Sequence, residues 1–214
     1  MSALWRAAAL GYLLGSFPSA DVVARVARSR STERAVDLRS VGSGNPGALN
    51  AAQQLGTRWG LVVLGLDMAK GALAGGAGRW LGGPAGAYAA ATASIGGHVA
   101  PPWSGFRGGK GVATSAGACA AVFPAYFPID AAVAAIGAAG SRSAEVSVRV
   151  SAAAWITAAL LWWRRQWRNG WGPAPTAGLP LFAIGGSAMI LAKFATARRE
   201  GDRRVGPAVE PAAP

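Results

Sequence analysis

Two glycine-rich polar segments could carry chemistry in this 214-residue chain, since both interrupt long apolar stretches. The first is residues 41–50 (VGSGNPGALN) and the second is residues 105–114 (GFRGGKGVAT). Glycine adopts positive φ angles and permits close approach, so neighbouring backbone N–H groups in such segments can converge on one anion. Phosphate is an anion that this arrangement suits well. The two segments therefore predict a protein that acts on phosphorylated molecules.

The composition indicates that these segments belong to a membrane protein. The chain is 52% hydrophobic and 14% charged, whereas about 25% of the residues in soluble domains are charged. Its net charge of +12 comes from 21 Lys and Arg residues against nine acidic ones. The arginines lie mainly in short stretches between apolar runs, as in the cytoplasmic loops of membrane proteins. Nucleic acid is not an expected partner, because no soluble domain is present to carry a basic binding face.

The cysteine and histidine counts argue against a metal centre. Cys119 is the single cysteine, which excludes an intrachain disulfide and a cysteine-rich metal site. His98 is the single histidine, so a histidine-based zinc site is not expected either. We therefore expect no cysteine-based or histidine-based metal centre.

The apolar segments predict an all-α, polytopic integral membrane helix bundle. A spanning helix needs about 20 mostly apolar residues, and the candidate segments are residues 4–26, 59–80, 83–100, 112–140, 146–163 and 177–197. The fourth segment is either one long helix or two short ones, and Pro124 and Pro128 favour a break. Seven helices satisfy the positive-inside rule better than six, so we favour seven.

The distribution of arginines predicts the orientation in the membrane. The basic residues that follow the first segment are Arg25, Arg28, Arg30, Arg34 and Arg39. They place this loop in the cytoplasm and the N-terminus outside. An even number of spans between the glycine segments then puts both on the cytoplasmic side. Residues 1–197 form a single transmembrane domain in this interpretation, and residues 198–214 form a basic, then Pro/Ala-rich, disordered cytoplasmic tail.

The second glycine segment is not a nucleotide-binding P-loop. That motif requires glycine five residues before the Gly-Lys pair and Ser or Thr after it. Here Ser104 stands at the first of these positions and Gly111 at the second. Nucleotide hydrolysis is therefore not predicted.

Taken together, the motifs resemble the acyl-phosphate:glycerol-3-phosphate acyltransferases of bacterial phospholipid synthesis, the PlsY family. The similarity lies in residues 11–18 (GYLLGSFP), 37–50 (DLRSVGSGNPGALN), 67–71 (DMAKG) and 97–114. Their order and spacing cover residues 11 to about 117, and beyond that point the similarity fades to hydropathy.

The resemblance implies a seven-helix fold in the bacterial plasma membrane with an active site facing the cytoplasm. The implied reaction moves a fatty acyl group from acyl phosphate to the 1-hydroxyl of glycerol 3-phosphate, giving lysophosphatidic acid and phosphate. It implies no metal, no coenzyme A, no carrier protein and no covalent acyl-enzyme. It also implies that membrane lipids surround the protein. Two phosphorylated substrates repel each other, so such a site must offer positive charge and hydrogen-bond donors to both.

The resemblance also assigns residues. Ser43 and Lys110 take the catalytic positions, and Arg107 stands where a lysine is usual. Ser43 could instead cap a helix, and Lys110 could instead snorkel at a helix end. The further candidates for substrate or phosphate binding are Gly42, Gly44, Asn45, Gly47, Asn50, Gly108, Gly109, Gly111 and Thr114.

The sequence departs from the family at three positions that contact substrate. Gln53 stands where the family has an arginine, Lys193 where it has a histidine, and Thr196 where it has an asparagine. If the fold is kept, these three residues should lie on the same cleft as Ser43 and Lys110. The departures leave open a family member with a different acceptor or without catalysis.

Three further polar residues are interpreted as support for the site. Asp67 and Lys70 are three residues apart and share a helix face, so we expect an intramembrane ion pair. His98 is expected to brace the second glycine segment.

A small transporter of phosphorylated solutes is the alternative function from another class. Such a transporter would more often show two matched halves in its sequence, and no matched halves are visible here.

Overall fold

The computed structural model describes residues 2–28, 36–140 and 144–205, and every regular element in these ranges is helical. The α-helices are α1 (Ala3–Gly15), α2 (Ser19–Arg28), α3 (Ala48–Leu55), α4 (Thr57–Val99), α5 (Val112–Val122), α6 (Phe127–Gly140), α7 (Ala144–Arg165) and α8 (Gly178–Val205), with a 3₁₀ turn at Pro102–Ser104. Arg30 and Arg34 of the predicted basic loop lie outside the described residues.

The first predicted segment is interrupted. α1 ends at Gly15 and α2 begins at Ser19. Proline lacks an N–H and clashes with the preceding helical turn, so Pro18 prevents one continuous helix. The expectation of an unbroken helix over residues 4–26 was therefore wrong, although the pair still provides an apolar stretch long enough to span (Ala3–Ala27).

Helix α4 folds back on itself. Its 43 residues would extend about 65 Å if straight, roughly twice the apolar thickness of a bilayer. Gly82 and Gly83 leave the helical conformation, Gly83 with φ +59°, and Pro84 starts the second arm. We call residues 57–81 the first arm and residues 84–99 the second arm. Both predicted segments in this region are thereby confirmed.

Glycines allow the helix backbones to touch. A Cβ atom on Gly11 or Gly15 of α1 would collide with the second arm of α4 at Ala90 or Ser94. On the other side, Gly71 of the first arm lies against the Thr114 backbone of α5. Small residues at helix interfaces permit this close approach, which is the main source of packing energy inside a bilayer.

Seven segments result in the described ranges if α1 and α2 count as one, the arms of α4 count as two, and the short α3 (8 residues) is left out of the count. The predicted break near the prolines is confirmed, because α5 ends at Val122 and α6 starts at Phe127. Four stretches are long and apolar enough to cross a membrane, and α5 is a shorter apolar helix. The seven-helix membrane fold is thus confirmed. Helix α8 continues to Val205, beyond the expected end at Ala197, and residues 206–214 lie outside the described residues, so the disordered tail stays a prediction.

The main apolar core lies between the second arm of α4 and helices α5, α7 and α8. Tyr88, Phe123 and Phe182 are fully buried there, and the Trp155 ring packs edge-on against Phe182 with centroids 4.9 Å apart. Cys119 is buried in the same core. This core fixes α8 against the arm of α4 that leads into the second glycine segment.

Candidate active site

Asn50 organises the first glycine segment. Its side chain is buried in the first turn of α3, where its amide donates to the carbonyls of Leu38 (2.8 Å) and Val41 (3.1 Å). Its Oδ1 accepts the N–H of Ser43 at 3.2 Å. All polar groups of the Asn50 amide are thus used within the protein, which favours a structural role over the predicted ligand contact.

The glycines of this segment shape the loop. Gly42 and Gly44 have φ angles of +57° and +67°, a region that favours glycine. Gly47 precedes α3 at its N-cap, and a Cβ there would lie 2.6 Å from the Asn45 amide. Because Gly47 holds the cap position, Ser43 does not cap α3. The cap alternative for Ser43 is therefore excluded.

The second glycine segment is fastened to the end of α4. The N–H of Gly108 donates to Val99 O (3.1 Å) and that of Gly109 donates to His98 O (3.2 Å). A Cβ on Gly108 would collide with His98 O, and a Cβ on Gly109 would collide with the His98 ring. The expectation that these two N–H groups bind an anion was wrong, because the α4 carbonyls already accept them. These glycines permit close packing instead.

A buried polar network supports this segment from below. Lys70 Nζ lies 2.8 Å from Asp67 Oδ1, and His98 Nδ1 lies 3.5 Å from the same oxygen. Lys70 also donates to Phe17 O (3.1 Å), a carbonyl at the break between α1 and α2. The three side chains are at least 90% buried. The predicted ion pair is therefore formed, and His98 connects it to Gly109.

The two glycine segments meet α8 around a cleft of about 130 Å³. Its lining residues are Arg39, Ser43, Gly44, Asn45, Pro46, Arg107, Gly108, Lys110, Lys193, Thr196 and Ala197. Four of these side chains are cationic, and none of the described lining residues is acidic. Such a cleft attracts anions, and it holds Ser43 and Lys110 together, as the sequence predicts.

Lys110 is the half-buried cation of this cleft. Burial lowers the pKa of its ammonium below the ordinary value, because desolvation disfavours the charged form. Its Nζ lies 4.3 Å from the centroid of the Phe194 ring. Ser43 is exposed beside it, with its N–H held by Asn50. The cleft thus combines a hydroxyl with point charges.

Arg39 is a cleft residue that the sequence reasoning did not assign. Its guanidinium pairs with the Asp21 carboxylate of α2 and donates through Nε to Arg107 O at 2.9 Å. It borders both the cleft and a neighbouring cavity of about 400 Å³ that also contains Arg25. The available signal was its position in residues 37–50, one of the segments that carry the resemblance.

The departures from the family divide into two groups. Lys193 and Thr196 line the cleft, as predicted. Gln53 does not: it is exposed on α3, where Asn50 and Gln54 are the residues whose amides approach Gly42. The expectation that all three lie on the cleft was therefore wrong for Gln53.

Several other predicted residues lie behind the cleft. Thr114 is fully buried in α5, where its carbonyl faces Gly71. Gly111 is the N-cap of α5 with φ +87° and packs near Ile95 and Val99. Together with Gly42, Gly47 and Gly109, they shape the backbone around the cleft and are absent from its lining. Their assignment to phosphate binding is not supported by this geometry.

A second, apolar cavity of about 770 Å³ opens beside the cleft. It is enclosed by the first arm of α4 and by α5, α6, α7 and α8. Its described lining residues include Leu64, Met68, Val112, Phe127, Val148, Trp155, Ile190 and Phe194. Phe194 borders this cavity and also contacts Lys110 of the cleft. An apolar space and a cationic space therefore lie next to each other in the structure.

The fold and site define a class: an integral membrane helix bundle with a cationic cleft beside an apolar cavity. In the described part of the chain, no group of three or more His, Cys, Asp or Glu side chains is placed to hold a metal ion. The four cations of the cleft can position anionic groups and stabilise negative charge.

Comparison with known proteins identifies the group to which the chain belongs. The family described as "Glycerol-3-phosphate acyltransferase" matches residues 5–200. Glycerol-3-phosphate acyltransferase 2 of Moorella thermoacetica is 46% identical over 115 residues, covering 54% of this chain and 56% of that protein. The corresponding protein of Bacillus velezensis is 40% identical over 118 residues, covering 55% and 58%. The chain therefore spans a little over half the length of these relatives.

Solved structures extend the similarity to nearly the whole chain. The crystal structure of PlsY (YgiH), an integral membrane glycerol 3-phosphate acyltransferase, matches in its glycerol 3-phosphate form with a TM-score of 0.72 and 30% identity. Its lysophosphatidic acid form matches with a TM-score of 0.70 and 29% identity. Both matches cover 95% of this chain and 91% of the other. This chain belongs to the glycerol-3-phosphate acyltransferase family, as the resemblance in its motifs predicts.

Proposed function

We propose that this protein transfers a fatty acyl group from acyl phosphate to the 1-hydroxyl of sn-glycerol 3-phosphate. The products are lysophosphatidic acid and inorganic phosphate. The observation that carries the proposal is the junction at Phe194, where a cleft with four cations meets an apolar cavity of about 770 Å³. An acyl phosphate has a head and a tail that match these two spaces, and its reactive carbonyl lies between them.

The cleft residues supply charge and hydrogen bonds to two phosphates. Lys110 and Lys193 present ammonium groups, Arg39 and Arg107 border the same space, and Ser43 presents a hydroxyl donor. Two dianionic head groups repel each other, so bringing them together requires compensating cations. Held in one geometry, the acceptor hydroxyl and the donor carbonyl react as if at high effective concentration.

The chemical step balances without a group from the protein being consumed. The 1-hydroxyl oxygen attacks the acyl carbon, and the bond from that carbon to the phosphate oxygen breaks. The phosphate leaves with the bonding electrons and takes up the hydroxyl proton. Phosphate is a good leaving group, so stabilising the oxyanion and the phosphate charge is the main task of the cations.

Ser43 serves as a donor in this scheme and not as a nucleophile. An attacking serine needs an adjacent general base. The described residues that line the cleft include no carboxylate and no imidazole, and the scheme uses the lysines of the cleft as ammonium groups that bind phosphate. A covalent acyl-serine intermediate is therefore not part of the proposal.

The proposed orientation places the cleft at the cytoplasmic face of the bacterial plasma membrane, with the N-terminus outside. It is supported by Arg25 of α2 and by Arg39, since both line the cavity beside the cleft and Arg39 also lines the cleft itself. Cationic loops are retained on the cytoplasmic side, where glycerol 3-phosphate would reach them from water.

The test is phosphate release by the purified, detergent-solubilised protein from palmitoyl phosphate. We expect release that depends on glycerol 3-phosphate and lysophosphatidic acid formed in equal amount. Lys110→Ala is the control for a contaminating activity. Release that is the same without glycerol 3-phosphate, or that is undiminished in Lys110→Ala, would contradict the proposal.

A further inference from the structure

The contact between Lys110 and Phe194 lies between the two cavities. The ammonium lies 4.3 Å from the ring centroid, within the range in which a cation is attracted to an aromatic face. Within the described part of the chain, Lys110 has no carboxylate partner and donates no hydrogen bond. Glycines flank it at positions 109 and 111, so neighbouring side chains do not confine its long stem. Within the described residues, the Phe194 ring is therefore the partner that the structure shows for this ammonium.

Helix α8 presents one stripe of residues to each cavity, and Phe194 lies where the stripes adjoin. Ile190 and Phe194 border the apolar cavity, whereas Lys193, Thr196 and Ala197 border the cleft. Successive helical residues are separated by about 100°, so Phe194 and Ala197 are only about 60° apart around the helix. One turn of α8 thus forms the boundary between the polar and the apolar space.

We propose that Phe194 is a positioning residue that holds the Lys110 ammonium at this boundary, where the acyl-phosphate group of the donor binds. The proposal rests on the function proposed above and adds a residue to it. One face of the ring holds the cation, and the ring also borders the space for the acyl tail. The same side chain therefore aligns the charge with the tail of the lipid.

Burial makes this assistance necessary. The pKa of Lys110 is lowered because its ammonium is partly desolvated. An aromatic face compensates part of that cost, since its negative electrostatic potential favours a nearby cation. An aliphatic side chain of similar size would fill the space. It would give the ammonium neither a preferred position nor the electrostatic attraction of an aromatic face.

The test is a double-mutant cycle on binding of lysophosphatidic acid, which needs no turnover. Phe194→Leu is measured in the wild-type and in the Lys110→Ala background. The matched control is Phe127→Leu, because Phe127 is also a partly buried aromatic residue that borders the apolar cavity. We expect Phe194→Leu to weaken binding about fivefold to tenfold in the wild type, the size of a partly desolvated cation–π contact. In the Lys110→Ala background the same change should cost about twofold.

The control should cost about the same in both backgrounds, because Phe127 does not contact the lysine. Phe194→Trp should restore wild-type affinity, since tryptophan provides the best aromatic face. Phe194→Met fills the space more flexibly and replaces the leucine variant if that variant does not fold. Equal losses from Phe194→Leu in the two backgrounds, no rescue by tryptophan, or no binding of lysophosphatidic acid would each overturn the proposal.

The outcome is separable from that of the proposed function. A wild-type protein that binds lysophosphatidic acid with the expected coupling, yet releases no phosphate from palmitoyl phosphate, would refute the transferase function and retain the role of Phe194. A wild-type protein that transfers the acyl group but shows no coupling would refute the role of Phe194 alone.

Discussion

Replacing Gly109 by alanine should damage activity more than stability. The added Cβ would collide with Nε2 of His98 and would lie 2.9 Å from Cε1 and 3.3 Å from Cδ2 of the same ring. The ring cannot easily retreat, because its Nδ1 faces the Asp67 carboxylate at 3.5 Å. The backbone N–H of Gly109 is also held by His98 O. The strain must therefore move the loop that carries Lys110.

The size of the effect follows from two costs. Overpacking a buried site destabilises a protein by about 1–3 kcal/mol, which lowers the unfolding temperature by roughly 3–10 °C in a chain of this size. A displacement of about 1 Å at a catalytic group can cost about 100-fold in rate. We expect kcat/KM with palmitoyl phosphate and glycerol 3-phosphate to fall about 10- to 100-fold for Gly109→Ala.

The assay needs a glycine control and a test of the mechanism. Gly65→Ala is the control, because Gly65 is helical and a Cβ there meets no atom within 4 Å; its activity should stay unchanged. Combining Gly109→Ala with His98→Ala removes the collision, so the double variant should lose less than the product of the single losses. Full activity of Gly109→Ala, or purely multiplicative losses, would refute the reasoning.

The remaining predictions concern the charges and the topology. Lys110→Ala should lower kcat/KM about 10- to 150-fold through loss of a charge-assisted contact, whereas Arg107→Lys should change it less than threefold; equal losses would show that neither residue contacts phosphate. Asp67→Asn should destabilise the protein by about 3–5 kcal/mol, because Lys70 is left buried without its counterion, while exposed Asp37→Asn should stay within about 0.5 kcal/mol in thermal unfolding. In intact cells, Ser43→Cys should resist an impermeant thiol reagent and react after permeabilisation; reaction from outside would place the cleft on the other face.

The sequence was sufficient for the membrane fold and for the two-motif cleft. Hydropathy and prolines act locally, so the break before Phe127 and the turn at Gly83 were visible in the residues themselves. Spacing by three on one helix likewise gave the Asp67–Lys70 pair. These features depend on residues that are close together in the chain.

The parts that the sequence could not provide depend on distant partners. In the sequence, nothing indicates a partner for the N–H groups of Gly108 and Gly109, so an anion was predicted. In the structure, carbonyls at the end of α4 accept both hydrogen bonds. In the sequence, Gln53 aligns with a substrate-binding position of the family. In the structure, α3 directs the side chains of Asn50 and Gln54 toward the first glycine segment instead. The apolar cavity arises from five helices whose small and large residues face one another, and no local pattern records it.

The exposed border of the apolar cavity has a kinetic consequence for the proposed reaction. Leu64 and Val112 at its border are 37% and 47% exposed, on the surface that a bilayer would cover. A donor that enters by this route is delivered by diffusion within the membrane, whereas glycerol 3-phosphate arrives from water at the cationic cleft. The relevant concentration of the donor is then its amount per unit area of membrane, whereas that of glycerol 3-phosphate is its amount per unit volume of water. Diluting palmitoyl phosphate with inert lipid at a constant total amount should slow the reaction, because the enzyme samples donor per unit area of membrane.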